Sequence, residues 1–155
     1  MNFPRQNRMK GMGQIVTWSV RDETLHTESA IRLFRTFVEE NPSVWNSEVQ
    51  EEIIKACATV IEHEDAFIDL AFELGGVEGM EASEVKSYIR YIADRRLTQL
   101  GLPELFKIEK NPLPWMDEML NAVEHTNFFE GRATEYSRAA TTGSWSKTFE
   151  KAFGA

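Results

Sequence analysis

The longest regular pattern in the sequence is a stripe of small and apolar positions between residues 10 and 40. Its members are three or four residues apart, which is the spacing of one face of an α-helix. The stripe consists of Val16, Ser19, Glu23, His26, Ala30, Leu33 and Phe37. It predicts one helix from Lys10 to about Glu40. Asn41-Pro42 would end this helix, because the residue before a proline is disfavoured in the α region.

Further helices are predicted downstream. The predicted elements are helices from about Glu48 to Leu74 and from Glu81 to Leu100, with short helical pieces around Leu105–Phe106 and Trp115–Ala122. Ser47-x-x-Gln50 is a capping-box spacing at the start of the first of these helices. Gly75-Gly76 and Gly101 are placed to end the two long helices. No strand-length alternation of apolar and polar residues occurs, so the sequence predicts an all-α fold.

Glu23 and His26 are the candidate chemistry of the first helix. Both belong to the stripe, so they are expected where a core should be, and a buried charge is costly unless it is paired or metal-bound. A Glu and a His three residues apart on an inward face are the half-site that four-helix carboxylate proteins use to hold two metal ions. The competing interpretation is a solvated pair, because this spacing also occurs by chance. Glu62-His63-Glu64-Asp65 is interpreted as surface, since adjacent helical residues point about 100° apart.

Composition and charge narrow the class of protein. The chain has 155 residues, of which 42% are hydrophobic and 27% charged, and this fits one domain. A net charge of −8 argues against nucleic acid and anionic membrane as partners. No apolar run approaches the ~18 residues of a membrane-spanning helix. The single cysteine, Cys57, is interpreted as a small core residue and fits a reducing cytosol, so a cytoplasmic location is expected.

Four ordered segments resemble the small, radical-generating subunit of class I ribonucleotide reductase. The segment GMGQIVTWSVRDETLH, residues 11–26, is similar to the second metal-ligand helix of that family. The other segments are YIRYIADRR at residues 88–96, NPLPWM at residues 111–116, and TNFFE at residues 126–130 followed by TEYS at residues 134–137. The likeness is collinear from about Phe3 onward, which makes it specific where each segment alone would be weak.

The resemblance covers only the second half of the family's longer small subunits. The family's metal site uses an acidic residue, a first Glu-x-x-His, a further Glu, and then the Glu-x-x-His matched here. Only Glu23 and His26 fall on this chain, since neither His63 nor His125 has a Glu three residues before it. The resemblance implies a partial ferritin-like helical bundle over residues 1–123. The chain would be the C-terminal half of a split small subunit, or a fragment of one.

Residue roles follow from the resemblance. Glu23 and His26 match ligands of one metal ion, with Glu23 placed to bridge. The centre would be di-iron or iron/manganese and completed only with ligands from a partner chain. Asp22 matches an acidic residue of the radical-transfer path, and Tyr136 matches the tail tyrosine that relays the radical to the large subunit. Arg21 matches the residue beside that path, although its spacing equally allows a plain ion pair with Asp22.

Residues 124–155 form a predicted tail. Small and polar residues predict a flexible tether, which ends in Trp145, Phe149 and Phe153 at a spacing of four. Aromatic side chains on a flexible tail more often fill a partner's groove than their own core, so this tail is expected to dock on the large subunit. The alternative is a terminal helix packed on its own bundle.

The expected function is that of one component of a ribonucleoside-diphosphate reductase small subunit, an oxidoreductase for deoxyribonucleotide synthesis that is inactive in isolation. Half a bundle leaves apolar faces exposed. The expected partners are therefore a complementary N-terminal half, the large subunit and a second assembled small subunit. Two alternatives stay open. One is a non-catalytic half-subunit that binds or regulates the large subunit. The other is a homodimer with a ferritin-like di-metal site built from two copies of Glu23 and His26.

Overall fold

The computed structural model describes residues 1–124. Its helices are α1 (Asn2–Arg5), α2 (Lys10–Glu40), α3 (Ser47–Phe72), α4 (Ala82–Gln99) and α5 (Pro114–Glu124), with a 3₁₀ turn at Pro42–Val44 between α2 and α3. Within these residues there is no strand, only an isolated bridge between Val77 and Met80. The predicted all-α fold class is therefore confirmed for the described part of the chain.

α2 has the bounds that its apolar pattern predicts. It ends at Glu40, and Asn41 caps it by donating from both its backbone N–H and its side-chain amide to the Phe37 carbonyl. The chain then turns through Pro42. A proline disfavours the α-helical backbone conformation in the residue before it, so α2 does not continue past Asn41. Phe34 and Trp45 pack edge to face across this turn, with ring centroids 5.6 Å apart.

The predicted cap of α3 is wrong in detail. The N-cap is Asn46, whose side-chain oxygen accepts from the Val49 N–H at 3.0 Å. Gln50 does not close a box with Ser47 but donates to the Trp45 carbonyl at 3.4 Å. Asn and Ser are comparable N-cap residues, so two adjacent candidates compete and the sequence alone does not choose between them.

α3 and α4 form an antiparallel pair held by apolar and ionic contacts. Arg90 donates to both carboxylate oxygens of Asp65, at 2.9 Å for Oδ1, and Lys86 lies 2.7 Å from Asp69. The buried apolar residues of the described chain are Ile61, Ile68, Tyr88, Ala93, Leu97, Leu102 and Leu113. This core lies mainly along α4, where α3 covers it on one side and the segment after α4 extends it. Asp65 is the one member of the predicted surface group that has a partner on another helix.

Asp94 fixes the segment that follows α4. Its carboxylate is 2% exposed and accepts three backbone N–H groups, from Leu105 at 2.8 Å, Phe106 at 2.9 Å and Ile108 at 3.0 Å. In sequence, Asp94 followed by Arg95 and Arg96 has the pattern of a salt-bridged surface, but the burial of Asp94 shows that this interpretation is wrong. The segment around Leu105 and Phe106 is also not helical, because its N–H groups bond to this side chain instead of to a preceding turn.

Cys57 on α3 is a free thiol that is half-buried, so it lies outside the buried core in which the sequence interpretation placed it. Burial, and to a smaller extent the negative charge of Asp94, raises the pKa of the Cys57 thiol. A raised pKa lowers the thiolate fraction at neutral pH, and the thiolate is the reactive form.

The N-terminal residues are tied to the rest of the chain by specific contacts. They form the short helix α1, whose Asn2 is buried and donates to the Glu78 carbonyl at 2.9 Å. Arg5 donates to the Gly79 carbonyl at 3.1 Å and lies 4.2 Å from the ring centre of Trp115. These contacts tie α1 to the turn before α4 and to the start of α5.

Many large apolar side chains remain exposed outside this small core. They are Phe3, Met9, Met12, Ile15, Leu25, Leu33, Phe37, Val44, Val60, Phe67, Leu70 and Leu74. Among the helices described here, none combines the length and the apolar character needed to cross a membrane. Most of these exposed residues lie on α2 and α3. The candidate site lies on α2.

Candidate metal site on α2

Glu23 and His26 lie side by side on α2, one helical turn apart. The Nδ1 atom of His26 is 3.5 Å from Oε2 of Glu23, and its Nε2 atom is 4.0 Å from Oδ2 of Asp22. The imidazole therefore lies between two carboxylates. Thr24 and Thr27 next to them donate to the carbonyls of Val20 and Glu23, both at 2.8 Å, so their hydroxyls are satisfied within the helix.

The two candidate ligands are exposed and do not lie in a core. The side chains of Glu23 and His26 are 71% and 66% accessible, against the sequence expectation that they lie inward. Toward the C-terminal end the stripe is uncovered as well, since Leu33 and Phe37 are exposed, the former at 72%, whereas Val16 at the other end is half-buried. α2 packs against α1, α5 and the 3₁₀ turn, but these contacts leave this face open. The stripe has the composition of a core face, but no helix among residues 1–124 packs over its exposed part.

The donor chemistry suits part of a di-metal centre. Carboxylate oxygen and imidazole nitrogen are ligands of iron and manganese, and octahedral coordination of such ions needs about six donors. Among residues 1–124 there is no group of three or more His, Cys, Asp or Glu side chains placed to hold a metal ion. Glu23 and His26 thus fit as some of the ligands of a centre, and further ligands would have to come from elsewhere.

The other predicted site residues are placed unequally. Asp22 is exposed beside His26, whereas Arg21 is half-buried and points away from the stripe. Tyr136, Trp145, Phe149 and Phe153 lie outside the described residues. Two crevices of about 240 and 420 Å³ lie along the C-terminal half of α2 and the end of α4, and neither is lined by Glu23 or His26. The exposure of both side chains shows that the candidate site is an open helix face.

The chain matches one known protein family over most of the described residues. Residues 1–112 match the family model of the ribonucleotide reductase small chain. The chain belongs to the ribonucleotide reductase small chain family. The matched range contains α1 to α4 and includes Glu23 and His26 on α2. The family is one of di-metal enzyme subunits, which agrees with the donor types found here.

Individual relatives agree with this assignment. A protein of Invertebrate iridescent virus 3 named probable ribonucleoside-diphosphate reductase small subunit is 49% identical over 146 residues, which are 94% of this chain and 39% of that protein. The ribonucleoside-diphosphate reductase subunit beta of Chlamydia pneumoniae is 39% identical over 145 residues, which are 94% of this chain and 41% of that protein.

A solved structure agrees on the fold. The ribonucleotide reductase R2 subunit from Clostridium botulinum superposes with a TM-score of 0.72 at 25% identity, over 76% of this chain and 37% of that one. The described helices therefore resemble part of a ferritin-like bundle. This small-chain sequence spans about two fifths of the length of the curated relatives it matches.

Proposed function

We propose that this chain is a component of a ribonucleoside-diphosphate reductase small subunit that supplies one part of a di-metal site. The observation that carries the proposal is the pair Glu23 and His26 on an uncovered, core-like face of α2. Oxygen and nitrogen donors one turn apart on a helix are the half-site of ferritin-like carboxylate proteins. A complementary polypeptide, with the remaining ligands and the first part of the bundle, completes the centre.

Three residues of α2 share the work at the proposed site. Glu23 and His26 would hold a metal ion through the carboxylate and one ring nitrogen. A metal-bound histidine has its other ring nitrogen free for a hydrogen bond, which orients the ring and fixes the proton. Asp22 lies 4.0 Å from Nε2 of His26, on the side away from Glu23. It therefore joins the hydrogen-bonded path that leads from the metal centre toward the protein surface.

The metal centre, when bound, supplies the oxidant that generates the radical used in ribonucleotide reduction. Tyr136 relays the radical to the large subunit, and Trp145, Phe149 and Phe153 anchor the tail in a groove of that subunit. The assembled small subunit pairs with a second copy. The roles of these tail residues are inferred from the family resemblance, because the residues lie outside the described range. On this proposal the chain alone is inactive, because its metal centre lacks ligands.

The requirement for a complementary polypeptide has two supports. The chain spans 39% and 41% of two relatives that it matches along nearly all of its own length. The uncovered α2 face runs beyond the ligands in both directions, from Met12 and Ile15 to Leu33 and Phe37. Contiguous exposed apolar surface of this kind marks an interaction site.

Metal content before and after complementation tests the proposal. The probe is the part of the Invertebrate iridescent virus 3 small subunit that this chain does not match, expressed as a separate polypeptide. The chain alone should contain no stoichiometric iron or manganese, and the complex should contain two ions per pair. Glu23→Ala and His26→Ala should each reduce metal affinity by about tenfold or more. Glu28→Ala is the matched control, because Glu28 is an exposed acid on the opposite side of α2.

Other outcomes would replace the proposal. Two ions bound per chain without any partner would mean that ligands outside Glu23 and His26 complete the site within this polypeptide. Two ions per dimer of the chain, lost in both variants, would establish the homodimeric site instead. A metal-free complex that still binds the large subunit would leave the non-catalytic half-subunit as the function.

A further inference from the structure

α3 carries a second uncovered apolar face, separate from the α2 stripe. Val60, Phe67 and Leu70 are exposed, the last two at 67%, and Leu74 follows just after the helix ends. Their spacings of seven, three and four place them on one side of α3. We call these four residues the α3 stripe. His63 lies within it and is also exposed. Four large apolar side chains in one row are not expected on a face that only meets water.

The α3 stripe is not the face that packs on α4. Ile61 and Ile68 provide that contact and are each 5% exposed. On the α4 side, Asp65 and Asp69 are already paired with basic residues of α4. The stripe points more than a quarter of a turn away from Ile61 and Ile68. It is therefore free for another occupant while α3 and α4 remain packed together.

One edge of the α3 stripe is acidic. Glu48, Glu52, Glu62 and Glu73 lie along it together with one base, Lys55, and all five are exposed, so the edge carries a net negative charge. Among the ion pairs found between described residues, none involves these four carboxylates. An apolar row with unpaired acids along one side is complementary to a helix with an apolar row and a basic edge.

We propose that the α3 stripe docks an amphipathic helix with a basic edge, contributed by the complementary polypeptide. This inference rests on the proposed function, in which a complementary polypeptide assembles with this chain; the chain spans 39% and 41% of two small-chain relatives. Charge selects this occupant over a second copy of the chain. The chain carries a net charge of −8 and would bring the same acidic edge against itself. Lys and Arg on the incoming helix pair with the four carboxylates, and its apolar row covers Phe67 and Leu70.

Binding of the complementary polypeptide by matched variants tests the proposal. The probe is again the part of the Invertebrate iridescent virus 3 small subunit that this chain does not match. The double variant Glu52→Lys/Glu62→Lys should weaken binding by about tenfold or more and reduce its salt dependence. Phe67→Glu should weaken binding at least as much. Glu104→Lys/Glu109→Lys changes the charge equally at exposed positions outside α3 and should leave the dissociation constant within about twofold.

The isolated chain gives a second readout. Because Phe67 is exposed, Phe67→Glu should leave the Tm and helical circular dichroism of the chain unchanged. A clear fall in Tm would mean that the chain's own residues 125–155 cover the α3 stripe, and it would overturn the proposal. Sedimentation that shows a dimer lost in Phe67→Glu would overturn it in favour of a second copy.

The failure of this inference is separable from the failure of the proposed function. If Leu33→Glu on the α2 stripe abolishes binding while every α3 variant binds like the wild type, the proposed function stands and the α3 docking site is refuted. If the wild-type chain does not bind the complementary polypeptide at all, both are refuted. Binding of the large subunit that requires Phe67 would also refute this choice of occupant.

Discussion

Replacing Asp94 should cost this chain more stability than replacing any exposed acid. The carboxylate is 2% exposed and accepts the N–H groups of Leu105, Phe106 and Ile108 at 2.8–3.0 Å. Hydrogen bonds to a charged group contribute about 1.5–3 kcal/mol each, and a buried donor without a partner costs about 1–3 kcal/mol. The three N–H groups belong to half-buried residues that water can partly reach, so the sum is lower than three full bonds.

The two informative variants are Asp94→Asn and Asp94→Ala. Asn keeps one oxygen for Leu105 and Phe106, but its NH₂ group would face the Ile108 N–H, and we expect a loss of about 3 kcal/mol. Ala removes all three acceptors, and we expect about 4–5 kcal/mol. For a chain of this size, about 3 kcal/mol corresponds to a fall in Tm of roughly 6–12 °C.

Urea unfolding followed by circular dichroism gives the free energies, and hydrogen exchange locates the effect. The amides of residues 105, 106 and 108 should lose protection first, since they lose their acceptor. Glu104→Gln is the control, because it removes the same charge from an exposed neighbour. A loss below about 0.5 kcal/mol in Asp94→Asn, the size of an ordinary surface change, would refute the assignment of Asp94 as the acceptor that fixes this segment.

The remaining predictions concern other contacts. In Gly13→Ala the new Cβ would lie 2.1 Å from Cγ of Pro4, so α1 should detach and tryptic cleavage of the N-terminal segment should accelerate, despite a gain in helix propensity of about 1 kcal/mol. Arg90 holds the pKa of Asp65 below its ordinary 3.8. The Asp65–Arg90 pair therefore stabilises the fold above pH 3.8, and this contribution is lost as the pH falls through the lowered pKa of Asp65. In Asp65→Asn the free energy of unfolding should depend less steeply on pH below pH 3.8, whereas its pH dependence near pH 7 should not change. Leu97→Ala should cost about 2–5 kcal/mol in urea unfolding, and a loss no larger than that of an exposed leucine would contradict its place in the core.

The sequence predicts what depends on near neighbours. α2 has its predicted bounds because a 3.6-residue pattern and the proline after it are both local signals. The predicted end of α3 and the start of α4 also lie within two residues of those found. The cap of α3 was missed because Asn46 and Ser47 are both good N-cap residues, and only the bond to Val49 chooses between them.

Asp94 shows where local reasoning ends. Beside two arginines it has the pattern of a surface ion pair, yet its acceptors are used by N–H groups 11 to 14 residues later. Spacing on a helix carries no information about a loop that folds back. The same limit applies to Glu23 and His26. Their stripe predicts a face that needs a cover, but it does not state whether that cover lies in the same polypeptide.

The position of the candidate ligands suggests that metal binding and assembly are coupled. α3 and α4 are joined by buried apolar residues and two ion pairs, whereas the face of α2 that carries Glu23 and His26 is exposed from Ser19 to Phe37. On the proposed assembly, these two side chains gain a fixed environment only when the complementary helices cover α2. Coupling of this kind is reciprocal: if the partner raises metal affinity by some factor, metal raises partner affinity by the same factor. Measuring both affinities in Glu23→Ala would show this, since the variant should lose the metal-dependent part of partner binding and keep the apolar part.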